Sequence, residues 1–201
     1  MGTPDSREYD RLKERGFKPY SKGHREMYEK AIRDMNTWGG YGNPPPSPLK
    51  HPAGARVLEA GFGIGWGLDR MLHESVLRSY VGYEPNKDSF DYVKGRYLPG
   101  GPVDLLFLNL PFEPNLDPAF DVAFCIEVIE HVPMDKHEAF LAGLRQMAPV
   151  LYFSTPDSHK VPREGVRTMD QWLAMLLRVG YDSRKLHFDD SEWTTFYRCE
   201  R

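Results

Sequence analysis

Four glycines occupy alternate positions of one short stretch, RVLEAGFGIGWG, which runs from Arg56 to Gly67. The stretch lies between an apolar run and an apparent helix. Glycine allows the backbone to turn sharply and to approach a ligand closely, at a cost in conformational entropy. The spacing therefore predicts a loop whose backbone contacts a ligand.

The glycine spacing limits which ligand the loop could hold. A dinucleotide fold uses G-x-G-x-x-G, but Trp66 and Leu68 stand where the third glycine would fall in the two possible frames. The Lys-Ser/Thr pair of a phosphate-binding P-loop is also missing after these glycines. The pattern present is E-x-G-x-G-x-G, from Glu59 to Gly65, which does not require a pyrophosphate.

A second carboxylate, Glu84, ends the next apolar run in the stretch VGYEP. An ionised carboxylate only accepts hydrogen bonds, so it suits the two hydroxyl donors of a ribose. In nucleotide-binding folds, an acidic residue at the end of the second strand accepts hydrogen bonds from the ribose hydroxyls. The glycine loop and Glu84 together predict a site for a nucleoside.

A third motif is EVIEHV, which runs from Glu127 to Val132 after another apolar run. The spacing of Glu127, Glu130 and His131 puts all three on one face of a helix, where they could hold a divalent metal. His131 is also a candidate general base. A second candidate is His159, in the loop STPDSHKVPREG.

The elements around these motifs alternate between strands and helices. A helix is predicted over Trp66–Leu77, another after Glu84, a third opened by Asp135 as N-cap, and a fourth with a Thr168/Gln171 capping box that ends at Gly180. The predicted strands are RVLEA, SYVGYE, VDLLFLN, FDVAFCI, VLYFST, KLHFD and TTFYRCE.

This alternation predicts an α/β fold with a Rossmann-like, doubly wound sheet of seven strands. The last two strands have no helix between them, so we expect one antiparallel strand near the C-terminus. Ligands in such folds bind outside the carboxyl ends of the strands. Each motif above lies at such an end.

The N-terminal segment differs from the rest of the chain. Tyr28, Ile32 and Met35 fall at i, i+4 and i+7, so an amphipathic helix with these residues on its apolar stripe is predicted over roughly Lys22–Thr37. The Pro/Gly-rich stretch after it excludes regular structure. We therefore divide the chain into a helical lid or linker at residues 1–50 and a ligand-binding domain at 51–201. Because aromatic faces suit a cationic ligand, Tyr20 and Trp38 are predicted to line a ligand site under this lid.

Composition excludes several classes of protein. The net charge of −3 and pI near 6.2 argue against a general binder of nucleic acid or anionic membranes. Two cysteines form no disulfide framework and favour a reducing compartment. The N-terminus is polar, and no run approaches the ~18 apolar residues of a membrane helix. These features predict a cytoplasmic protein that does not bind membranes.

The glycine motif, Glu84 and EVIEHV together resemble the class I S-adenosylmethionine-dependent methyltransferases. The EVIEHV form, with LPF at Leu110–Phe112 before it, is similar to ubiquinone-biosynthesis-type O-methyltransferases. The resemblance covers about residues 56–155 and implies S-adenosylmethionine as cofactor. It implies His131 as the catalytic residue and Tyr20, Trp38 and His159 as substrate contacts. The implied cofactor contacts are Glu59, Gly61, Phe62, Gly63, Gly65, Glu84, Pro85, Asn109, Leu110, Ile126 and Glu127.

Two residues depart from the family pattern. Phe62 replaces the small residue usual inside the loop, which predicts a narrower or reshaped pocket for the methionine part. Asn109 lies where relatives often carry an acid for the adenine amino group, and its side-chain carbonyl could replace that acid. Glu59 is expected to orient the amino-acid end of the cofactor.

The resemblance implies methyl transfer to a small molecule, at oxygen, because nitrogen-directed relatives often carry Asn/Asp-Pro-Pro-Tyr/Phe where this chain has EVIEHV. Two alternatives stay open. One is a metal-assisted RNA 2′-O- or catechol-type O-methyltransferase, in which Glu127, Glu130 and His131 hold the metal. The other is a protein that binds S-adenosylmethionine without catalysis.

Overall fold

The structure, a computed structural model, describes residues 22–37, 54–74, 77–97, 103–113, 120–156, 167–182, 187–190 and 194–200. The helices are α1 (Lys22–Thr37), α2 (Trp66–His73), α3 (Lys87–Arg96), α4 (His137–Met147) and α5 (Met169–Arg178). The strands are β1 (Ala55–Ala60), β2 (Leu77–Tyr83), β3 (Asp104–Leu108), β4 (Val122–Ile126), β5 (Val150–Pro156), β6 (His187–Asp190) and β7 (Thr194–Glu200).

All these strands form one sheet in the order β3-β2-β1-β4-β5-β7-β6. Strands β1 to β5 are mutually parallel, and β7 pairs antiparallel with both β5 and β6. The predicted α/β, Rossmann-like sheet with an antiparallel strand near the C-terminus is confirmed. The strand order reverses between β1 and β4, which is the switch point where such sheets bind their ligands.

The N-terminal helix, the capping box and the end of α5 follow the predictions. Helix α1 has the predicted bounds. Thr168 and Gln171 make both bonds of the capping box, and Gly180 follows α5 with φ +91°. Asp135, however, is not an N-cap: it lies in a 3₁₀ turn, Met134–Lys136, and α4 begins only at His137.

Helix α2 is shorter than predicted. It ends at His73, and Leu77 begins β2, where it pairs with Ala55 of β1. The apolar side chain of Leu77, which was predicted to end the helix, is buried in the sheet instead. Burial alone does not distinguish the end of a helix from the start of a strand.

Two apolar clusters cover the two faces of the sheet. Alternate residues serve opposite faces: Val57 of β1 belongs to one cluster and Leu58 to the other. Helix α1 contributes Tyr28 and Ile32 to the first cluster, while α4 and α5 cover the second. Helix α1 therefore shares an apolar core with the sheet. The predicted boundary at residue 50 stays a prediction, because it lies outside the described residues.

Both cysteines, Cys125 and Cys199, are buried free thiols. Within the ranges described above, no helix is both long enough and apolar enough to span a bilayer.

Candidate active site

The glycine loop joins β1 to α2 at the switch point of the sheet. Its first residue, Gly61, donates a backbone hydrogen bond of 2.7 Å to the carbonyl of Tyr83 in β2. Gly61, Gly63 and Gly65 have φ values of +76°, +51° and +78°. An ideal Cβ on Gly61 would lie 2.4 Å from Cγ2 of Val128. Glycine is required at position 61 both by the backbone conformation and by this contact.

Glu84 follows β2 and binds the loop directly. Its Oε2 accepts the Gly63 N–H at 2.8 Å, and its Oε1 accepts the Asn86 N–H at 2.9 Å. A carboxylate offers about four lone-pair positions, so each oxygen keeps a lone pair for a further donor. Burial raises the pKa of Glu84, and the Asn86 and Gly63 N–H groups act against that shift. These two hydrogen bonds thus fix the orientation of the Glu84 carboxylate beside the loop.

Asn109, just after β3, is oriented by the chain that follows β2. Its Nδ2 donates to the carbonyl of Glu84 at 2.8 Å and to that of Pro85 at 3.3 Å. The amide orientation follows from these two acceptors. The side-chain carbonyl of Asn109 therefore points away from them, as an acceptor suited to an amino group. Leu110 beside it is 44% exposed.

The side chain of Phe62 packs into the core of the protein. Its side chain is fully buried and meets Phe107 edge-on, with ring centroids 5.6 Å apart. The backbone of Gly82 lies directly against the ring, since an ideal Cβ there would be 2.5 Å from Cδ1 of Phe62. The ring of Phe62 therefore packs in the core, and the predicted narrowing or reshaping of the methionine pocket stays a prediction. Phe62 contributes its backbone to the glycine loop.

Glu59, the acid before the loop, is buried between two tyrosines. Its two carboxylate oxygens accept hydrogen bonds from the hydroxyls of Tyr28 in α1 and Tyr80 in β2. Burial raises the pKa of Glu59 to about 7; the two tyrosines act against this shift, and the nearby Glu84 adds to it. Sequence reasoning missed both tyrosines. The only signal was that Tyr28 lies on the apolar stripe of α1.

The chain changes direction sharply after β4. Ile126 is buried, and Glu127 has a φ of +57°, in the left-handed region that non-glycine residues rarely adopt. The Glu127 N–H donates to Ser154 Oγ at 3.0 Å, and the Ser154 hydroxyl lies 3.2 Å from Glu127 Oε1, to which it donates. Ser154, which is buried in β5, stabilises this conformation, although no motif in the sequence marks it.

The proposed helical face of Glu127, Glu130 and His131 does not form. Glu127 has left-handed backbone geometry, and Ile129–His131 make a single 3₁₀ turn. In the described part of the chain, no three His, Cys, Asp or Glu side chains are grouped so that they could hold a metal ion. His131 is exposed, and its N–H donates to the carbonyl of Val128 at 2.9 Å. Because Val128 contacts Gly61, His131 is placed near the loop.

His137, at the start of α4, forms a hydrogen bond with the end of the segment that follows β4. Arg167 Nε donates to its Nδ1 at 3.2 Å, so Nε2 carries the proton and donates to the Val132 carbonyl at 2.8 Å. The ring stacks on Trp172 with centroids 5.1 Å apart. Burial lowers the pKa of His137, which favours the neutral ring. This residue was also missed, because its partners Arg167 and Trp172 are distant in sequence.

The three predicted substrate residues, Tyr20, Trp38 and His159, lie outside the described residues and stay predictions. Of the other aromatic residues near the site, Trp66, Phe112 and Trp172 are buried.

A parallel sheet of this order, with a glycine loop after β1 bonded to a buried acid after β2, defines a class I S-adenosylmethionine-dependent methyltransferase. Residues 27–192 match the family described as "Methyltransferase domain", and the chain belongs to that family. The cofactor is S-adenosylmethionine. A search of curated protein sequences found no match to the chain.

Solved structures share this fold at low sequence identity. Magnesium protoporphyrin IX methyltransferase from Synechocystis, with bound S-adenosylmethionine, has a TM-score of 0.68 and 15% identity, over 98% of this chain and 92% of that one. A cyclopropane synthase from Mycobacterium tuberculosis has a TM-score of 0.62 and 15% identity, over 76% and 80%. The methyltransferase domain of bacterial CtHen1-C has a TM-score of 0.63 and 17% identity, over 88% and 97%. At these identities the likeness concerns the fold.

Proposed function

We propose that this enzyme transfers the methyl group of S-adenosylmethionine to an oxygen atom of a small-molecule acceptor. The observation that carries the proposal is the bond between the Gly63 N–H and Glu84 Oε2, which joins the glycine loop to the acid at the switch point. The net charge of −3 supports a small molecule over a nucleic acid. By their names, the structural neighbours include a porphyrin methyltransferase and a mycolic acid cyclopropane synthase.

Each part of the cofactor has residues suited to hold it. Glu84 would accept the ribose hydroxyls, and the loop from Gly61 to Gly65 would pass under the ribose and methionine. The backbone after Glu84 at Pro85, the Asn109 carbonyl and Leu110 would hold the adenine. The ends of β1 and β4, with Glu59, Ile126 and Glu127, would border the amino-acid end and the sulfonium.

S-adenosylmethionine supplies a methyl group already activated on a positively charged sulfur. The chain's own task is therefore to orient the acceptor in line with that methyl group and to exclude water. Orientation of this kind is worth ~7–11 kcal/mol when it is complete. The segment from Glu127 to His131, held by Ser154 and by the contact of Val128 with Gly61, is the part of the described site suited to this.

His131 is proposed as the base that takes the proton of an acceptor hydroxyl. It is exposed, so it can meet an acceptor that enters from solvent. Its backbone is fixed one turn from the residue that contacts the loop. A positioned base contributes roughly 10²–10⁴-fold to the rate.

The test measures transfer of a labelled methyl group from S-adenosylmethionine to a panel of phenols, catechols, carboxylic acids, amines and short RNA. Product on a hydroxyl or carboxyl oxygen supports the proposal. With a hydroxyl acceptor, His131→Ala should lower kcat by about 10²-fold or more while the Kd of the cofactor stays unchanged. A carboxylate has no proton to lose at neutral pH, so it tests transfer to oxygen and not the role of His131. Product only on amines contradicts transfer to oxygen.

Two further arms separate the alternatives. Loss of activity in a chelator, restored by a divalent metal, would favour the metal-assisted enzyme; methylation of RNA alone would favour its RNA-directed form. Tight binding of S-adenosylmethionine without transfer to any acceptor would contradict the proposal in favour of a non-catalytic protein.

A further inference from the structure

One tyrosine from the N-terminal helix contacts both flanks of the glycine loop. The Tyr28 hydroxyl donates to Glu59, two residues before Gly61. The Tyr28 ring lies against Gly67, in the first turn of α2, where an ideal Cβ would be 2.2 Å from Cε1 of the ring. The loop therefore begins and ends on residues that a single side chain of α1 holds.

Tyr28 is itself fixed by its neighbours. It is fully buried, and its ring stacks on Phe124 of β4 with centroids 5.9 Å apart and an interplanar angle of 8°. Trp66 lies 6.0 Å from it, and His24 stacks on it at 5.8 Å. A ring packed on this many sides cannot shift without moving α1.

Glu59 is the polar partner through which Tyr28 reaches the loop. Burial raises the pKa of Glu59 to about 7, so its charge changes near neutral pH. His24, behind Tyr28, has a pKa lowered by burial to about 4, and it is therefore neutral in that range. The groups that act on Glu59 from the surrounding elements are Tyr28 of α1, Tyr80 of β2 and Glu84 after β2. Glu59 in turn helps to raise the pKa of the buried Cys125 thiol of β4.

We propose that Tyr28 is a positioning residue for S-adenosylmethionine, which fixes the glycine loop from α1 through Glu59 on one flank and Gly67 on the other. The inference rests on the proposed function in one respect, that this loop binds the cofactor. Because linkage is reciprocal, the contact of α1 with the loop and cofactor binding stabilise each other.

The charge of Glu59 gives the inference a pH signature. S-adenosylmethionine is cationic at its sulfonium, so it binds better when Glu59 beside the loop is ionised. Its affinity should rise as pH increases through about 7. The Tyr28 hydroxyl favours the ionised form of Glu59, so its removal moves this rise to higher pH.

The experiment measures the Kd of S-adenosylmethionine by calorimetry from about pH 5.5 to 9 for wild type, Tyr28→Phe and Tyr152→Phe. Tyr152 is a matched control, because its hydroxyl also forms a hydrogen bond with α1, to Asp34 at 2.5 Å, but away from the loop.

The α-amino group of S-adenosylmethionine titrates equally with all three proteins, so only the difference between their curves of Kd against pH is informative. Tyr28→Phe should weaken binding about five- to tenfold at neutral pH and shift the rise upward. Tyr152→Phe should leave both unchanged.

Equal effects of the two variants, or no effect of Tyr28→Phe, would overturn the inference. Glu84→Ala separates this failure from failure of the proposed function. If Glu84→Ala leaves the affinity for S-adenosylmethionine unchanged, the cofactor site is misplaced. If Glu84→Ala weakens binding while Tyr28→Phe does not, only the role of Tyr28 is wrong.

If Tyr28→Phe does not fold, amide hydrogen exchange on the wild-type protein decides. Saturating S-adenosylmethionine should slow exchange in α1 around Tyr28, and unchanged exchange there overturns the inference.

Discussion

At the scale of single residues, Gly61 is the most constrained position of the site. Gly61→Ala should cost about 1–2 kcal/mol for the left-handed backbone alone, and the clash with Val128 adds to this. The loop should also lose S-adenosylmethionine affinity, because Gly61 can no longer bond Tyr83 without distortion. Urea denaturation and cofactor titration of the purified variant measure the two effects.

Gly95 provides the matched control for this substitution. It lies in α3 with nothing within 4 Å of an ideal Cβ, so Gly95→Ala should stabilise the protein by about 0.5 kcal/mol and leave cofactor binding unchanged. Adding Val128→Ala to Gly61→Ala should recover the steric part of the loss but not the part due to φ. A Gly61→Ala protein as stable as wild type would show that the loop is not constrained as described.

The buried carboxylate of Glu59 makes stability depend on pH. Its folded pKa of about 7 lies above the ordinary value of 4.5, so its contribution to stability is complete below about pH 4.5 and is lost as pH rises through 7. Glu59→Gln carries no charge at position 59, so its unfolding free energy should not fall in this way as pH rises. Relative to the variant, wild type should lose about 3 kcal/mol of unfolding free energy between pH 4 and pH 8. Parallel stability curves for the two proteins would contradict this prediction.

The tyrosine bonds to Glu59 show what sequence reasoning could not supply. The type of Glu59 and its place before the glycines were predicted, as was a helix that presents Tyr28 on its apolar stripe. Nothing local indicates that the hydroxyl of Tyr28 meets a carboxylate 31 positions away in sequence. Periodicity shows which face of an element is buried, but the partner on that face depends on how the elements pack.

At the scale of elements, α5 depends on its predicted capping box. The Thr168 hydroxyl accepts the Gln171 N–H at 3.2 Å, and the Gln171 side chain accepts the Thr168 N–H at 3.0 Å. Thr168→Ala should lower the unfolding free energy by about 1 kcal/mol without changing the Kd of the cofactor, while Thr168→Ser keeps the cap and costs less. Chemical denaturation of both variants distinguishes them. Equal losses would show that the methyl group of Thr168, and not its hydroxyl, matters.

The elements themselves were predicted better than their connections. Strands and helices follow from periods of two and 3.6 residues, and the site motifs follow because parallel strands end on one edge. The segment after β4 was misjudged because i, i+3, i+4 spacing was interpreted as helical, whereas Glu127 adopts a positive φ stabilised by Ser154. Left-handed geometry at a non-glycine residue depends on tertiary contacts and has no signature in the sequence.

At the scale of the whole molecule, cofactor binding should stabilise the folded state. At about 100 times its Kd, a ligand that binds only the folded protein adds about 2.7 kcal/mol, which corresponds to a Tm increase of about 5–10 °C for a chain of this size. Thermal denaturation with S-adenosylmethionine measures the increase. Glu84→Ala should lose most of it, whereas Gly95→Ala should retain it. An equal increase in Glu84→Ala would place the ligand elsewhere.

The position of β7 between β5 and β6 has a consequence for synthesis on the ribosome. Strands β1 to β5 can pair as soon as they emerge, but the outer edge of β5 and the whole of β6 pair with β7, which follows the other strands of this sheet in the sequence. Until then, the nascent chain presents an unpaired β5 edge, which is a template for pairing with another chain. The interval between translation of β5 and of β7 is thus when this protein is most exposed to misassembly, and when a chaperone that covers strand edges would help it most.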